Sequence, residues 1–236
     1  MPTEKPILFC GPMSVAIRDG RKTMTRRVVN MAGIDFRGGG GKAGPDWNDP
    51  SCWGFEDEDG REWALAPGDL VDEVIPRPYH VGQRLWVREA CWIWGQWIGD
   101  GKTATGRDKW RFHAATRRQV RFDKPGKTAK RGGVPGWVYR HARFMPRWAC
   151  RTILEVTGVR LERLQEISDA DAIAEGLLQT CGDVFPGITQ YCGYDDFWTT
   201  KPRTAFWRLW DSLNVRRGFG WDTNPFVLVI SFRRVE

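Results

Sequence analysis

The sequence predicts an α+β fold, a mixed β-barrel with short flanking helices and two long insertions. Three observations lead there: short strand-like segments are spread along all 236 residues, only a few short helical segments lie between them, and no regular strand–helix–strand alternation is present. The chain is long enough to bury a sizeable core and reads as a single domain, residues 1–236, with no internal repeat.

The first segment, Ile7-Leu8-Phe9, is a short apolar run ended by Gly11-Pro12. From Met13 to Asp19, residues Met13, Ala16 and Ile17 fall on one helical face, and Gly20 supplies the left-handed residue that closes the helix. Thr23, Thr25 and the Val28-Val29 pair predict an extended segment next, which puts Lys22 in or just after a tight turn. Residues 30–77 hold Gly38 to Gly41 in a row, scattered prolines and an acid block, so an insertion with little regular structure is expected. Val81 to Glu89 begins at a turn and alternates apolar positions, as a strand entering a core does. Beyond Trp97, Gly, Lys and Arg dominate to Arg143. This second insertion, about 98–143, carries strand candidates at Trp110 to Phe112 and Trp137 to Tyr139.

Arg151 to Thr157 is rich in β-branched residues and predicts a strand. Ser168 followed by Asp171 is a variant capping box that opens a helix with Ala172, Ile173, Ala174 and Leu177 on its apolar face, ending at Gly176 to Leu178. A second helix starts near Pro202, with Phe206, Leu209, Trp210 and Leu213 at i, i+3, i+4 and i+7, and Trp207 also at core-like spacing. Phe226 to Phe232 is almost continuously apolar, the pattern of a closing strand buried on both faces.

Lys and Arg number 36 against 29 Asp and Glu, a net charge of +7 that favours an anionic partner such as nucleic acid or a nucleotide. The charge is unevenly placed. From Asp46 to Glu73 ten acids face the single Arg61, whereas from Lys102 to Arg147 fourteen Lys and Arg face only Asp108 and Asp123. Either the two stretches are solvated loops that attract each other, or the basic one tracks phosphates through Arg107, Arg111, Arg117, Arg118, Arg121, Lys124, Lys127 and Lys130. The fourteen tryptophans suit cores, interfaces and base stacking alike. No apolar run approaches the roughly 18 residues of a membrane span, and the start lacks a signal-peptide core, so a cytoplasmic protein with no membrane partner is expected. Six scattered cysteines without a CxxC pair, and three histidines, predict reduced thiols, no metal site and no cofactor.

The densest polar constellation is Gly20-Arg21-Lys22-Thr23-Met24-Thr25-Arg26-Arg27: one ammonium, two hydroxyls and three guanidinium groups in eight residues. Pro12, Met13 and the helix before it exclude a P-loop cradle, which needs two glycines placed ahead of Lys-Thr. On residue types alone it is either a solvated basic helix end or an anion site.

The segment Ala16 to Arg26 resembles the signature of the ASCH domain, a PUA-like β-barrel family in which a helix runs into a G-x-K-T-x-T-x-R turn. Val81 to Val87 is similar to that family's G-D-x-L-x-V strand, with Gln83 in place of the usual acid. Ile153 to Val159, Leu161, Leu164 and the Ser168 to Gly176 helix resemble its later strand and helix, and Phe226 to Phe232 its closing strand. The ILFxxPM…GRKTxTRR start and GWDxNPxVxVIxF end are similar to phage and prophage proteins. The resemblance thus implies a PUA-like barrel at work in the cytoplasm of a bacterial host.

One ASCH branch removes the acetyl group of N4-acetylcytidine. Carried over by motif, the resemblance implies Lys22, Thr25 and Glu175 as catalytic residues, with Asp171 and Asp169 as rivals for the carboxylate. Metal-free amide hydrolysis needs an activated nucleophile, a donor for the oxyanion and an acid for the leaving amine. Lys22, its proton affinity lowered by Arg21, Arg26, Arg27 and burial, serves either as nucleophile or, more easily, as base toward water or Thr25. Glu175 then protonates the leaving nitrogen, or is simply an exposed helix carboxylate. A different class of function uses the same surface to read nucleic acid, RNA ahead of DNA. In it Arg21, Arg26, Arg27 and Arg88 meet phosphate, Trp86, or Trp92 and Trp94, stack on a base, and Arg117, Arg118 and Arg121 track the backbone. A third is an interaction protein that sequesters a host factor through its Trp-rich insertions.

Overall fold

The computed structural model describes residues 4–29, 34–38, 54–57, 62–64, 73–74, 79–181 and 188–235. The chain is α+β and dominated by strands; among the described residues no sheet closes on itself. In chain order the elements are β1 (Lys5–Leu8), α1 (Gly11–Arg18), β2 (Met24–Val28), β3 (Ile34–Gly38), β4 (Gly54–Asp57), β5 (Glu62–Ala64), β6 (Glu73–Val74), β7 (Arg84–Arg88), β8 (Cys91–Lys102), β9 (Asp108–Ala114), β10 (Val120–Arg121), β11 (Gly136–Arg140), β12 (Ile153–Arg163), α2 (Asp169–Ala174), β13 (Leu178–Cys181), β14 (Thr189–Cys192), α3 (Pro202–Asn214) and β15 (Phe226–Arg234). They divide into two compact units, one of Ala16–Arg84 and Glu155–Val235, the other of Glu4–Val15 and Leu85–Leu154.

In the first unit β12, β15 and β2 lie side by side in that order. β15 pairs antiparallel with β2, Thr25 opposite Ile230 and Arg26 opposite Val229, and its Phe226 to Ile230 run is buried, as the continuous apolar pattern requires. β12 runs past the expected Thr157 to Arg163: Leu161 is buried, while Arg160 and Glu162, two apart on the other face, find ionic partners described below. Ser168 caps α2 as expected, its Oγ accepting from the Asp171 amide at 3.1 Å. In α3 Phe206, Leu209 and Trp210 are buried, but two positions depart from the sequence reading. Leu213 is 50% exposed and Asn214 takes the buried place instead, donating to the Trp210 carbonyl at 3.1 Å; Trp207, given core-like spacing, is 40% exposed. The β13–β14 hairpin was not foreseen. Within 30–77, where little regular structure is expected, β3 to β6 form a four-stranded sheet; the rest of that insertion lies outside the described residues.

In the second unit β1 pairs parallel with β7, Lys5 opposite Leu85 through Leu8 opposite Arg88. The long β8 carries β11 on one edge and β9 and β10 on the other. The expected strand candidates Trp110 to Phe112 and Trp137 to Tyr139 fall inside β9 and β11. Cys91, Ile93, Met145 and Ala149 form a buried cluster against which Phe112, Val120, Phe122, Trp148 and Cys150 pack.

Two predictions follow from this packing. A Cβ at Gly95 would lie 2.2 Å from the His113 carbonyl oxygen and 2.7 Å from the Phe112 ring, whereas at Gly99 of the same strand it meets open space. Gly95→Ala therefore costs about 2 kcal/mol or more and Gly99→Ala close to nothing, as thermal unfolding of the pair reads directly. Burial, with Glu89 nearby, pushes the Cys91 thiol up to about 11 from 9.0. Between those pH values the unfolded chain has released this proton and the folded chain has kept it, so the stability Cys91 contributes is present below pH 9 and lost as pH rises through 11. Denaturant titrations show a shallower decline across that window in Cys91→Ala than in the wild type.

Candidate functional site

The turn that carries the constellation is built by backbone bonds. Gly20, at φ 75, closes α1, with its amide donating to Ile17 O at 3.1 Å, and the Arg21 and Lys22 amides return to Ala16 O at 2.9 and 3.0 Å. The Thr23 amide then donates to Ala174 O at 2.9 Å and Lys22 bridges Glu175 antiparallel, so the turn docks on the end of α2. Only glycine fits at 176: its φ is 94, and a Cβ there would lie 2.7 Å from Lys22 Cβ and 3.2 Å from Ala16 Cβ.

That docking brings together two residues 153 positions apart. Lys22 Nζ donates to Glu175 Oε2 at 2.7 Å and to the Glu175 carbonyl oxygen at 2.7 Å, with Lys22 2% and Glu175 4% exposed. The other carboxylate oxygen of Glu175 accepts from Arg26 Nη1 at 3.2 Å. Arg26, its side chain fully enclosed, also donates through Nε and Nη2 to Glu162 Oε1 at 2.9 and 2.5 Å and through Nη2 to Asp171 Oδ2 at 2.8 Å, and its guanidinium carbon sits 5.8 Å from the Phe206 ring centre. Arg160 completes the set, donating to Glu162 Oε2 at 3.0 Å and to Asp171 Oδ2. Lys22, Arg26 and Arg160 thus balance Glu162, Asp171 and Glu175 in one neutral network.

Burial holds the Lys22 ammonium below the ordinary lysine range; Glu175 opposes that shift, and Arg27 and Arg26 add to it. Burial also disfavours the Arg26 charge, but Glu175 and Glu162 outweigh it and hold that guanidinium above its usual value.

The expected site residues separate into groups. Lys22, Glu175, Arg26 and the rival Asp171 converge, whereas Asp169 faces α3, accepting from the Arg203 amide at 3.4 Å. Thr25 is buried opposite Ile230, and among the described residues its hydroxyl bonds to neither Lys22 nor Glu175. Arg21 turns to the Gly176 carbonyl at 3.2 Å and to Asp19 at 3.1 Å. Arg27 contributes through its charge. In the second unit Trp86 is buried with the Arg88 guanidinium 5.0 Å over its ring, and Arg88 donates to the Met145 carbonyl, so this pair packs and offers no open ring face. Arg117, Arg118 and Arg121 are exposed; Arg118 lies over Trp148 and Arg121 over Trp137, where it also pairs with Asp123. Trp92 packs edge-on against Tyr139 and Trp94 against Trp137. Glu162 and Arg160 were missed, since charged residues alternating along a strand look like a solvated face.

Among the described residues no three His, Cys, Asp or Glu side chains are grouped to hold a metal, Cys10, Cys91, Cys150 and Cys192 are free thiols, and no helix is long and apolar enough to cross a membrane. Comparison with protein-family models, with curated proteins and with solved structures finds no match to this chain.

Removing one partner of a buried pair strands the other charge. Lys22→Met is expected to lower the unfolding free energy by about 3 kcal/mol, and Glu175→Gln by more, because Glu175 serves both Lys22 and Arg26. Urea unfolding measures both; losses below about 0.5 kcal/mol, the size of an exposed pair, would contradict the network described.

Proposed function

We propose that the chain is a PUA-like mixed β-barrel protein of the ASCH kind that takes a nucleoside and removes an acyl group from a modified cytidine of the N4-acetylcytidine type. The observation that carries this reading is the 2.7 Å contact between Lys22 Nζ and Glu175 Oε2, two residues 153 positions apart that the motif resemblance names together. Burial disfavours the Lys22 ammonium, so the Lys22 amine is the base for water, and Glu175, 2.7 Å away, passes the proton on as the acid.

Water then adds to the acyl carbon while Lys22 takes its proton, and the C–N bond breaks as Glu175 protonates the cytosine nitrogen, leaving acetate and cytidine. Water is taken as the nucleophile ahead of Thr25, whose hydroxyl among the described residues bonds to neither Lys22 nor Glu175. Arg26 keeps Glu175 aimed at Lys22. The couple is covered by its surroundings, so a nucleoside reaches it only where the cover over Lys22 opens.

A second reading, a non-catalytic reader of RNA or modified DNA, draws on the exposed Arg117 and on Arg118 and Arg121, which lie over Trp148 and Trp137. The readings separate in one experiment. Wild-type protein releases acetate and cytidine from N4-acetylcytidine, and folded Lys22→Ala and Glu175→Gln proteins are slower by about a hundredfold or more, the least expected for loss of an acid–base group. Absence of release, with RNA or DNA binding that weakens steeply as salt rises, establishes the reader instead.

A further inference from the structure

A groove of about 440 Å³ runs along the first two turns of α3, lined by Asp169, Lys201, Arg203, Thr204, Trp207 and Trp221. Its most unusual wall is Trp207. The indole is 40% exposed yet fixed: Nε1 donates to Asp211 Oδ2 at 2.7 Å, one helical turn on, and the ring leans on Trp221 with centres 6.4 Å apart and planes at 36°. Trp221 is itself held by its amide, which donates to the other Asp211 oxygen at 2.7 Å, and by the edge of Phe206. Asp211 thereby spends both oxygens on orienting two indoles. An indole whose N–H is satisfied inside its own helix and whose ring still faces water presents a rigid flat apolar surface, the kind on which bases stack.

The groove's charges suit the rest of a nucleotide. Lys201 makes no ion pair among the described residues, and Arg203 uses Nη2 on the Gln165 carbonyl at 2.6 Å, which steadies the guanidinium and leaves its remaining N–H groups for another acceptor. Asp169 supplies an acceptor suited to a base's exocyclic amine. The volume lies within the range of small-ligand sites.

We propose that this groove is a nucleotide subsite, stacking a base on Trp207 and holding its phosphate with Lys201 and Arg203. Choosing a nucleotide over other flat anions rests on the nucleic-acid reading above. The groove and the Lys22–Glu175 couple share α2, with Asp169 at its first residue and Glu175 capping its end, six residues or about 9 Å apart along the axis.

The test is equilibrium binding of 5′-AMP, adenosine and a short mixed-sequence single-stranded RNA to the full chain by calorimetry. Trp207→Ala is expected to weaken binding about tenfold, within the range measured for a stacked base, while Trp207→Phe stays within about threefold of wild type. The Lys201→Ala/Arg203→Ala protein loses affinity for phosphate-bearing ligands and treats AMP like adenosine. This pattern with AMP identifies a free nucleotide as the ligand; the same pattern with RNA alone identifies a strand. No binding of either by wild type, or equal affinity in wild type and Trp207→Ala, overturns the proposal. Acetate release from N4-acetylcytidine, followed on the same proteins, reports separately on the couple: its absence from wild type defeats the hydrolase reading and leaves the binding result standing.

Discussion

Arg26 cannot be buried unless three carboxylates come to it, and much of the first unit is arranged to deliver them. A guanidinium taken out of water loses solvation worth several kcal/mol, and it is retained only where its donors meet acceptors with good geometry. Here Nε, Nη1 and Nη2 all find partners, from β12, from α2 and from the residue that caps α2. Because Arg26 sits on β2 and Glu162 on β12, with β15 between them, the guanidinium must reach across the central strand, where Val229 is the residue opposite it. The continuous apolar run of β15 and the enclosed cation are therefore one constraint seen twice: the strand must be buried, and the charge that crosses it must be neutralised.

Lys22 inherits its setting from that constraint. Glu175 is held from one side by Arg26, so its second oxygen is fixed when the α1–β2 turn docks on α2 and brings the ammonium to it. Opposed effects then act on one proton. Enclosure and the neighbouring arginines favour the neutral amine, and the Glu175 carboxylate favours the ammonium. A purely structural ion pair gains nothing from such a contest, since a well-packed apolar pair of the same volume is often as stable. The lysine proposed as a base does, because burial and the neighbouring arginines lower its hold on the proton.

How much of this was legible in the sequence depends on whether a residue's role is set locally. The α1 helix, its Gly20 stop, the Ser168 cap and the closing strand follow from spacing and turn chemistry, which act over a few residues, and all of them are found, with α1 starting two residues earlier at Gly11 and the closing strand running two further to Arg234. The meeting of Lys22 with Glu175 came from the motif resemblance, not from any local signal. Glu162 and Arg160 were invisible because alternation on a strand reports which face a side chain takes and not what lies opposite that face. Trp207 and Leu213 were misread for a related reason: i, i+3, i+4 spacing defines a stripe on α3, but its width is decided by what packs there, and here Asn214 bonding to the Trp210 carbonyl ends the buried stripe a residue differently.

Among the described residues, the tryptophans sort by the same logic of what covers each ring. Trp86 lies under Arg88, Trp137 under Arg121, Trp148 under Arg118 and Trp97 under Arg131, so in the second unit guanidinium groups occupy indole faces that would otherwise be wetted. Much of the cationic excess that composition alone assigned to an anionic partner is thus partly engaged with the protein's own aromatics. Because the buried network balances three cations with three carboxylates, it consumes none of the net +7, and the surplus stays on the surface. Trp207 differs from those rings. It is held at Nε1 by Asp211 and against Trp221 yet stays 40% exposed, and the cations beside it come from the start of its own helix. An aromatic covered by an arginine has its contact supplied already; one held open next to a cation has still to find it.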